Sequence, residues 1–325
     1  MRFWLLPLIL LGEIALFTAL SGQSFSPASS AASYFRSYFA DLLCQSAPVL
    51  LLAFGMTVIL MTAGIDLSAG SMVALVACAM ASFPAGPGFW WTAVPAGLAL
   101  ALLLGATNGA LIAWLDVPPI IATLGTMILY RGLCFVVMGD LEKSPFLNVP
   151  AYEWLGQPGG AALLLALTFA LGGCWLKRSR WLREILMLGG NPVAARYAGI
   201  PASRRIVQVY TLAGGLAFLA ALAFTARNSS VSASSLTGLE LQVIVAVVLG
   251  GTRVQGGAGS LLGSFYGVLI IAVMDEGLRG AAQWGARNLP FKLSHLEYIL
   301  LGLLLVVGVW LNTRGRKPAD NRPPE

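Results

Sequence analysis

Four cysteines (Cys44, Cys78, Cys134, Cys174) and one histidine (His295) are the only thiol and imidazole groups in 325 residues. The cysteines stand singly inside apolar runs, with no CxxC pair. No His, Cys, Asp and Glu set has ligand or triad spacing, so zinc binding, a disulfide framework and nucleophilic catalysis have no support. No GxxxxGKS or GxxxxGKT string occurs, and the glycine-rich stretch Gly250–Gly263 lacks the lysine that reaches phosphates. ATP hydrolysis by a P-loop is thereby excluded, and no cofactor is expected on this chain. The remaining chemistry belongs to polar residues inside apolar runs: Glu13, Asn108 and Arg131. A charge at the middle of a bilayer costs roughly 2.5–3.5 kcal/mol on insertion scales, so such residues pair internally or line a pathway. For Arg131, beside Tyr130, both readings stay open. Asn108 is expected to hydrogen-bond across a helix contact.

Those runs must be membrane spans. Apolar residues make up 58% of the chain and charged residues 10%, at a mean hydropathy of +0.80. A soluble domain carries about 25% charged residues to solvate its surface. Uncharged segments such as Leu42–Ile65, Leu67–Leu115, Trp154–Leu176, Ile206–Ala226 and Val254–Met274 reach the ~20 residues that a spanning helix needs. They are about twice as long as a barrel strand, so the expected fold is all-α, a polytopic transmembrane helical bundle of about ten spans. The spans are placed near 3–20, 47–63, 70–83, 93–115, 119–138, 160–176, 206–226, 241–252, 258–276 and 296–312. The run 241–252 is short enough to suggest a re-entrant half-helix. Glu13 interrupts the first run, which favours an uncleaved span over a signal peptide.

Charge placement orients the bundle. Lys177, Arg178, Arg180, Arg183, Arg196, Arg204 and Arg205 fill the segment 177–205, and Arg314, Arg316, Lys317 and Arg322 fill the tail 313–325. Such excesses mark the cytoplasmic side and place both termini there. Arg279, Arg287 and Lys292 argue against this topology, since their loop falls outside. The net charge of +6 implies no nucleic acid, because the basic residues form no soluble module. Arg178, Arg180 and Arg183 suit anionic lipid headgroups.

Small residues recur where helices should meet. Ala93, Gly97, Ala101, Gly105, Gly109 and Ala113 follow one another at four-residue intervals, and Gly259, Gly263 and Gly267 repeat the device. Such faces let backbones approach within van der Waals contact. Within the basic segment, residues 191–199 read as a self-contained helix. Asn191 is its N-cap, Pro192 its first residue, and Gly199 its left-handed stop before Pro201. Two turns are not stable alone in water, so this helix is expected to dock against a partner protein.

From about residue 45 to 312 the chain resembles the permease subunits of ribose-type ABC importers. The resemblance rests on Gly64–Ser71 (GIDLSAGS), Asn108-Gly109 with Pro119–Thr126 and Arg131–Leu133, Gly189–Arg196 with Gly199-Ile200, and Val247–Thr252 with Gly256–Ser260. It implies a type II-like importer permease in the bacterial inner membrane, importing a monosaccharide or sugar-like solute by alternating access. Implied partners are a periplasmic sugar-binding protein, a cytoplasmic ABC ATPase that binds the ATP and Mg, and a second permease copy or paralogue. The segment around Asn191, Pro192, Ala195, Arg196 and Gly199 looks like the element that couples to the ATPase. Asp66, Ser68, Asn108 and Arg131 are the motif or pathway candidates. The rival reading is an ion-coupled secondary transporter, for which the available carboxylates are Glu13, Asp66 and Asp275.

Overall fold

The computed structural model describes residues 5–20, 28–84, 88–139, 141–144, 150–285 and 296–314. Every regular element among them is helical: α1 (Leu5–Leu20), α2 (Ala28–Met61), α3 (Ala69–Met80), α4 (Phe89–Trp114), α5 (Pro119–Met138), α6 (Pro150–Leu155), α7 (Pro158–Arg178), α8 (Arg180–Gly190), α9 (Pro192–Tyr197), α10 (Ala202–Asn228), α11 (Leu239–Leu249), α12 (Leu261–Gly285) and α13 (Leu296–Arg314). Residues 315–325 of the expected tail lie outside them, as does 286–292 of the basic loop 279–292.

The centre is built by α2 and α10. Residues 47–61 of α2 are apolar or small on every side, and the helix is correspondingly buried along almost its whole apolar length. It meets α7, α10, α11 and α12, while α10 packs chiefly on α4 and α2. Helices α5 and α7 bury one stripe each. Ile120, Ile121, Leu124, Ile128, Leu129 and Val136 of α5 face outward, as suits a lipid-contacting surface. Helix α1 lies along α12, with Leu6 in a cluster with Leu249 and Ile270.

Glycine sets the closest approaches. A Cβ at Gly105 would strike the Tyr210 carbonyl and lie 3.0 Å from the Gly214 Cα, and one at Gly109 would lie 2.7 Å from the Val207 Cα. Gly97 lies under the Met80 side chain. On the other side of the bundle, Gly267 abuts the Ala246 carbonyl, Gly250 abuts Gly263, and Gly259 receives Met61 and Thr252. The small-residue rows therefore seat α4 on α10 and α12 on α11 within one subunit.

Among the described residues, six helices are long and apolar enough to cross a membrane: Arg36–Met61, Phe89–Trp114, Pro119–Met138, Pro158–Arg178, Ala202–Asn228 and Leu261–Arg279. Two expected spans are much shorter. Helix α3 has 12 residues and α11 has 11, about 18 and 16 Å against a hydrocarbon core of about 30 Å. Each continues from irregular backbone that enters the bundle, residues 62–68 before α3 and 229–238 before α11. The second of these, although rich in serine, is partly internal. Val231 and Ala233 are buried, and Val231 exchanges both backbone hydrogen bonds with Lys143.

Backbone contact at the α4–α10 seam predicts an asymmetric response to added bulk. Gly105→Leu should prevent α4 from seating and lower the yield of monodisperse protein severalfold, since overpacking costs about 1–3 kcal/mol or more. Gly125→Leu, which meets open space, should leave yield and the heat-aggregation midpoint near wild type. Detergent size-exclusion chromatography after a heat challenge checks both.

Candidate functional site

The motif Gly64–Ser71 follows α2 as irregular backbone within the protein interior and enters α3 at Ala69, and its polar groups need partners that water cannot supply. Ser68 caps α3, and its backbone N–H and hydroxyl both donate to Asp66 Oδ1, at 2.8 and 2.6 Å. Asn108 of α4 donates from Nδ2 to Ser68 Oγ at 2.8 Å. The Tyr130 hydroxyl of α5 reaches the Leu104 carbonyl at 3.0 Å and Asn108 Oδ1 at 3.3 Å. The Ile65 carbonyl receives Thr123 Oγ1 from α5 at 3.2 Å and the Tyr210 hydroxyl from α10 at 3.3 Å. One broken segment is thus fixed by three long helices. Asp66, Ser68 and Asn108 are buried throughout.

The second broken segment meets the first. Arg131 donates from Nη1 to the Ala233 and Ser235 carbonyls, 2.7 Å each, so its charge is spent on loop backbone that has left a helix. Glu240, in the first turn of α11, is buried, and its Oε2 has no hydrogen-bond partner in the structure. That oxygen lies where a Cβ at Gly70 would stand, beside the first turn of α3. Helix N-termini stabilise negative charge, and Gly70 supplies the space for it. Nothing in the hydropathy pattern singles out Glu240, which stands at the edge of the apolar run 241–252.

A separate cluster occupies the end of the bundle where the basic residues gather. Helix α9 has the expected punctuation. Asn191 Oδ1 accepts from the Ala194 N–H at 3.0 Å, Pro192 begins the helix and Gly199 has φ +75. It is shorter than the expected 191–199, and a helix absent from the sequence reading, α8, precedes it. Ser179 caps α8 by accepting from the Leu182 N–H, while Ile185, Leu188 and Gly189 are buried. Arg205 pairs with Glu184 at 2.5 Å, and Trp181 Nε1 donates to Gln208 at 2.9 Å, which ties α8 to α10.

The last residues of α8 touch both broken helices. Gly189 abuts the Met61 carbonyl at the end of α2, where any Cβ would overlap it. The Gly257 N–H, in the turn between α11 and α12, donates to that same carbonyl at 3.0 Å. A Cβ at Gly256 would lie 2.7 Å from the Gly189 carbonyl and 2.8 Å from the Ala63 nitrogen, and one at Gly257 would lie 2.7 Å from the Gly190 Cα. Both turn glycines have positive φ, +82 and +74. Three motifs far apart in sequence therefore meet through backbone alone.

The structure brings Asp66, Ser68 and Asn108 into one cluster, sets Arg131 on the neighbouring loop, and holds Asn191, Pro192, Arg196 and Gly199 together at the basic end. Ala195, one of the residues of the expected coupling segment, takes its inward-facing position. It is fully buried and faces the body, because the turn that presents Arg196 outward points its neighbour in. Val193 (64% exposed) and Tyr197 (90% exposed), which sequence reasoning passed over, form the free face beside Arg196. Among the described residues, no group of three or more His, Cys, Asp and Glu could hold a metal ion.

Residues 38–309 match the family model described as branched-chain amino acid transport system / permease component. The ribose import permease protein of Escherichia coli (strain K12) is 34% identical over 281 residues, covering 84% of this chain and 85% of that protein. The fructose import permease protein of Rhizobium meliloti is 30% identical over 302 residues, covering 88% and 81%. The autoinducer 2 import system permease protein of Klebsiella pneumoniae subsp. pneumoniae is 36% identical over 242 residues, covering 73% and 70%. No solved structure matches the chain.

Loss of the Arg131 guanidinium should release the segment it holds. In a Cys174→Ser background, Ala233→Cys is expected to react slowly with an impermeant maleimide, and Arg131→Met should raise that rate at least fivefold. Unpaired buried carbonyls cost about 1–3 kcal/mol, enough for such opening. An unchanged rate would assign the loop's order to other contacts.

Proposed function

The chain belongs to the branched-chain amino acid transport system / permease component family, and from this membership and the geometry above we propose that it moves a monosaccharide or sugar-like solute through the inner membrane as the permease subunit of an ATP-driven importer. It is not an enzyme. ATP and Mg are bound and used by a separate cytoplasmic ABC ATPase, and a periplasmic binding protein delivers the solute. Six full spans, the two half-helices α3 and α11, and the flanking helices α1 and α13 give the reading of about ten membrane elements in a type II-like bundle. The basic residues on α7, α8, α9 and α10 lie at one end, which the positive-inside rule makes cytoplasmic, with both termini on that side. The transmembrane domain then covers about 1–312 and the tail 313–325. A second permease copy or paralogue completes the pathway.

The observation that carries the coupling mechanism is the backbone junction of Gly189, Met61 and Gly257. The ATPase grips the exposed face of α9 through Val193, Arg196 and Tyr197. Asn191, Pro192 and Gly199 fix where that face begins and ends, and Ala195 seats it. A shift of α9 passes into α8 and reaches Met61 and the Gly256–Gly257 turn without an intervening side chain that could rotate and absorb it. Met61 ends α2, which leads to the Asp66–Ser68–Asn108 cluster, and the turn continues into α12. Packed interfaces of this kind move between discrete arrangements rather than deforming smoothly, as alternating access requires.

Three outcomes test the reading. Cells expressing the chain with its ATPase and binding protein should accumulate D-ribose or D-fructose while a protonophore is present and ATP remains high. Arg196→Glu combined with Tyr197→Ala should reduce uptake at least tenfold and abolish ATPase co-purification, consistent with the 1–3 kcal/mol carried by central interface residues. Gly189→Ala should retain ATPase binding yet lose uptake. Normal uptake in both variants would remove the α8–α9 element from the mechanism.

A further inference from the structure

At the end of the bundle away from the basic residues, α2, α10, α11 and α12 enclose a cavity of about 490 Å³ that the coupling account does not use. Its position follows from helix lengths. Arg227, on its wall, is 22 residues along α10 from Arg205, about 33 Å. Gln45 is 16 residues along α2 from Met61, about 24 Å. A shallower depression of about 300 Å³ shares Leu42 and Gln45 and continues the cavity towards the surface. Small-molecule sites span roughly 300–1,000 Å³ and combine apolar walls with a few placed polar groups.

The wall has that composition. Gln45 from α2, exposed, and Gln242 from α11, half-buried, face the cavity from different helices, and neither side-chain amide bonds to another described residue. Each amide therefore offers two donors and an acceptor to whatever enters. Asp275 of α12, whose side chain is 13% exposed, is paired with Arg279, so the wall holds charge in balanced form. Pro48, also on the wall, has no N–H to give to the Cys44 carbonyl, which removes that acceptor's helical donor beside the cavity. Unpaired amides with neutralised charge match a neutral, polyhydroxylated molecule. They do not match an anion or a cation, which would leave one member of the Asp275–Arg279 pair uncompensated.

We infer that this cavity, enclosed within one subunit, is a binding station for a neutral sugar before it enters the pathway, with Gln45 and Gln242 as its hydroxyl-binding residues. The inference rests on the sugar-permease reading and adds to it the place and the groups.

The test uses full-length protein in nanodiscs, with the wall residue Ala272→Cys in a Cys44→Ala, Cys174→Ser background and an impermeant methanethiosulfonate reagent. Millimolar D-ribose or D-fructose should slow labelling at least threefold, while sorbitol-free buffer and potassium phosphate should not. Labelling that neither sugar slows overturns the site. Slowing by the binding protein alone, without sugar, overturns it in favour of a protein-docking surface, and slowing only by a second permease subunit assigns the cavity to the interface between permeases. In cells, Gln45→Leu with Gln242→Leu should lower uptake about tenfold while ATPase co-purification is unchanged. The corresponding double Asn variant, which keeps both amides, should retain at least half of wild-type uptake. A wild-type rate in the Leu variant overturns the inference. Failure of the importer reading looks different: wild-type cells then accumulate neither sugar, or lose uptake to a protonophore.

Discussion

In hydrocarbon, a backbone N–H or C=O that leaves a helix has no water to bond, and this constraint governs the architecture more than any single apolar contact. The protein breaks two of its membrane helices and returns the loose backbone to side chains on unbroken ones. Thr123 and Tyr210 bind the Ile65 carbonyl, Asn108 secures the Ser68 hydroxyl and Arg131 secures the Ala233 and Ser235 carbonyls. The cost of polar residues inside the membrane is therefore offset by the irregular backbone they satisfy. Glu240 and Gly70 belong to the same arrangement, an acidic side chain against the start of one half-helix from the first turn of the other.

The two ends of the bundle follow different rules. At the basic end, Gly189, Gly256 and Gly257 remove side chains so that backbone meets backbone, and the contact is stiff because nothing in it has rotamers. At the far end, amides and paired charges border open volume. Under the proposed function this division has a use, since one end would receive force without slack and the other would accommodate a hydrated molecule and give it up again. Helix α2 joins the two, running from the Gln45 wall to the Met61 junction and buried along nearly its entire apolar length.

Much of this was legible from sequence because the signals are local. Asn191, Pro192 and Gly199 punctuate a helix by their own backbone preferences, and the glycine and alanine spacing on α4 identifies a contact face whatever lies opposite. The fold class follows from the uncharged runs. What escaped depends on tertiary partners. Hydropathy averages cannot separate a 12-residue half-helix from a span, so α3 was overextended. The segment 229–238 is serine-rich and reads as solvated, because only the guanidinium of Arg131, about a hundred residues earlier, makes its burial tolerable. Helix α8 was hidden by its arginines, although Ile185 and Leu188 recur at the spacing of a docked amphipathic helix. That Ala195 faces inward while Arg196 faces outward was not legible, because spacing cannot show which side of a two-turn helix is already occupied.

Helix α10 is unbroken over 27 residues, about 40 Å, and is fastened at both ends. Near its start, Arg205 and Gln208 hold α8, and near its finish Thr225 holds Tyr152 and Arg227 holds Asp41. A rod of that length converts angle into distance: over the roughly 33 Å from Arg205 to Arg227, a tilt of about 5° at one end moves the other by about 2.9 Å, about the length of a hydrogen bond. Because α10 touches the α8 platform at one extremity and borders the cavity at the other, any tilt imposed at the platform reaches the cavity over a lever whose length is set by the number of residues between Arg205 and Arg227.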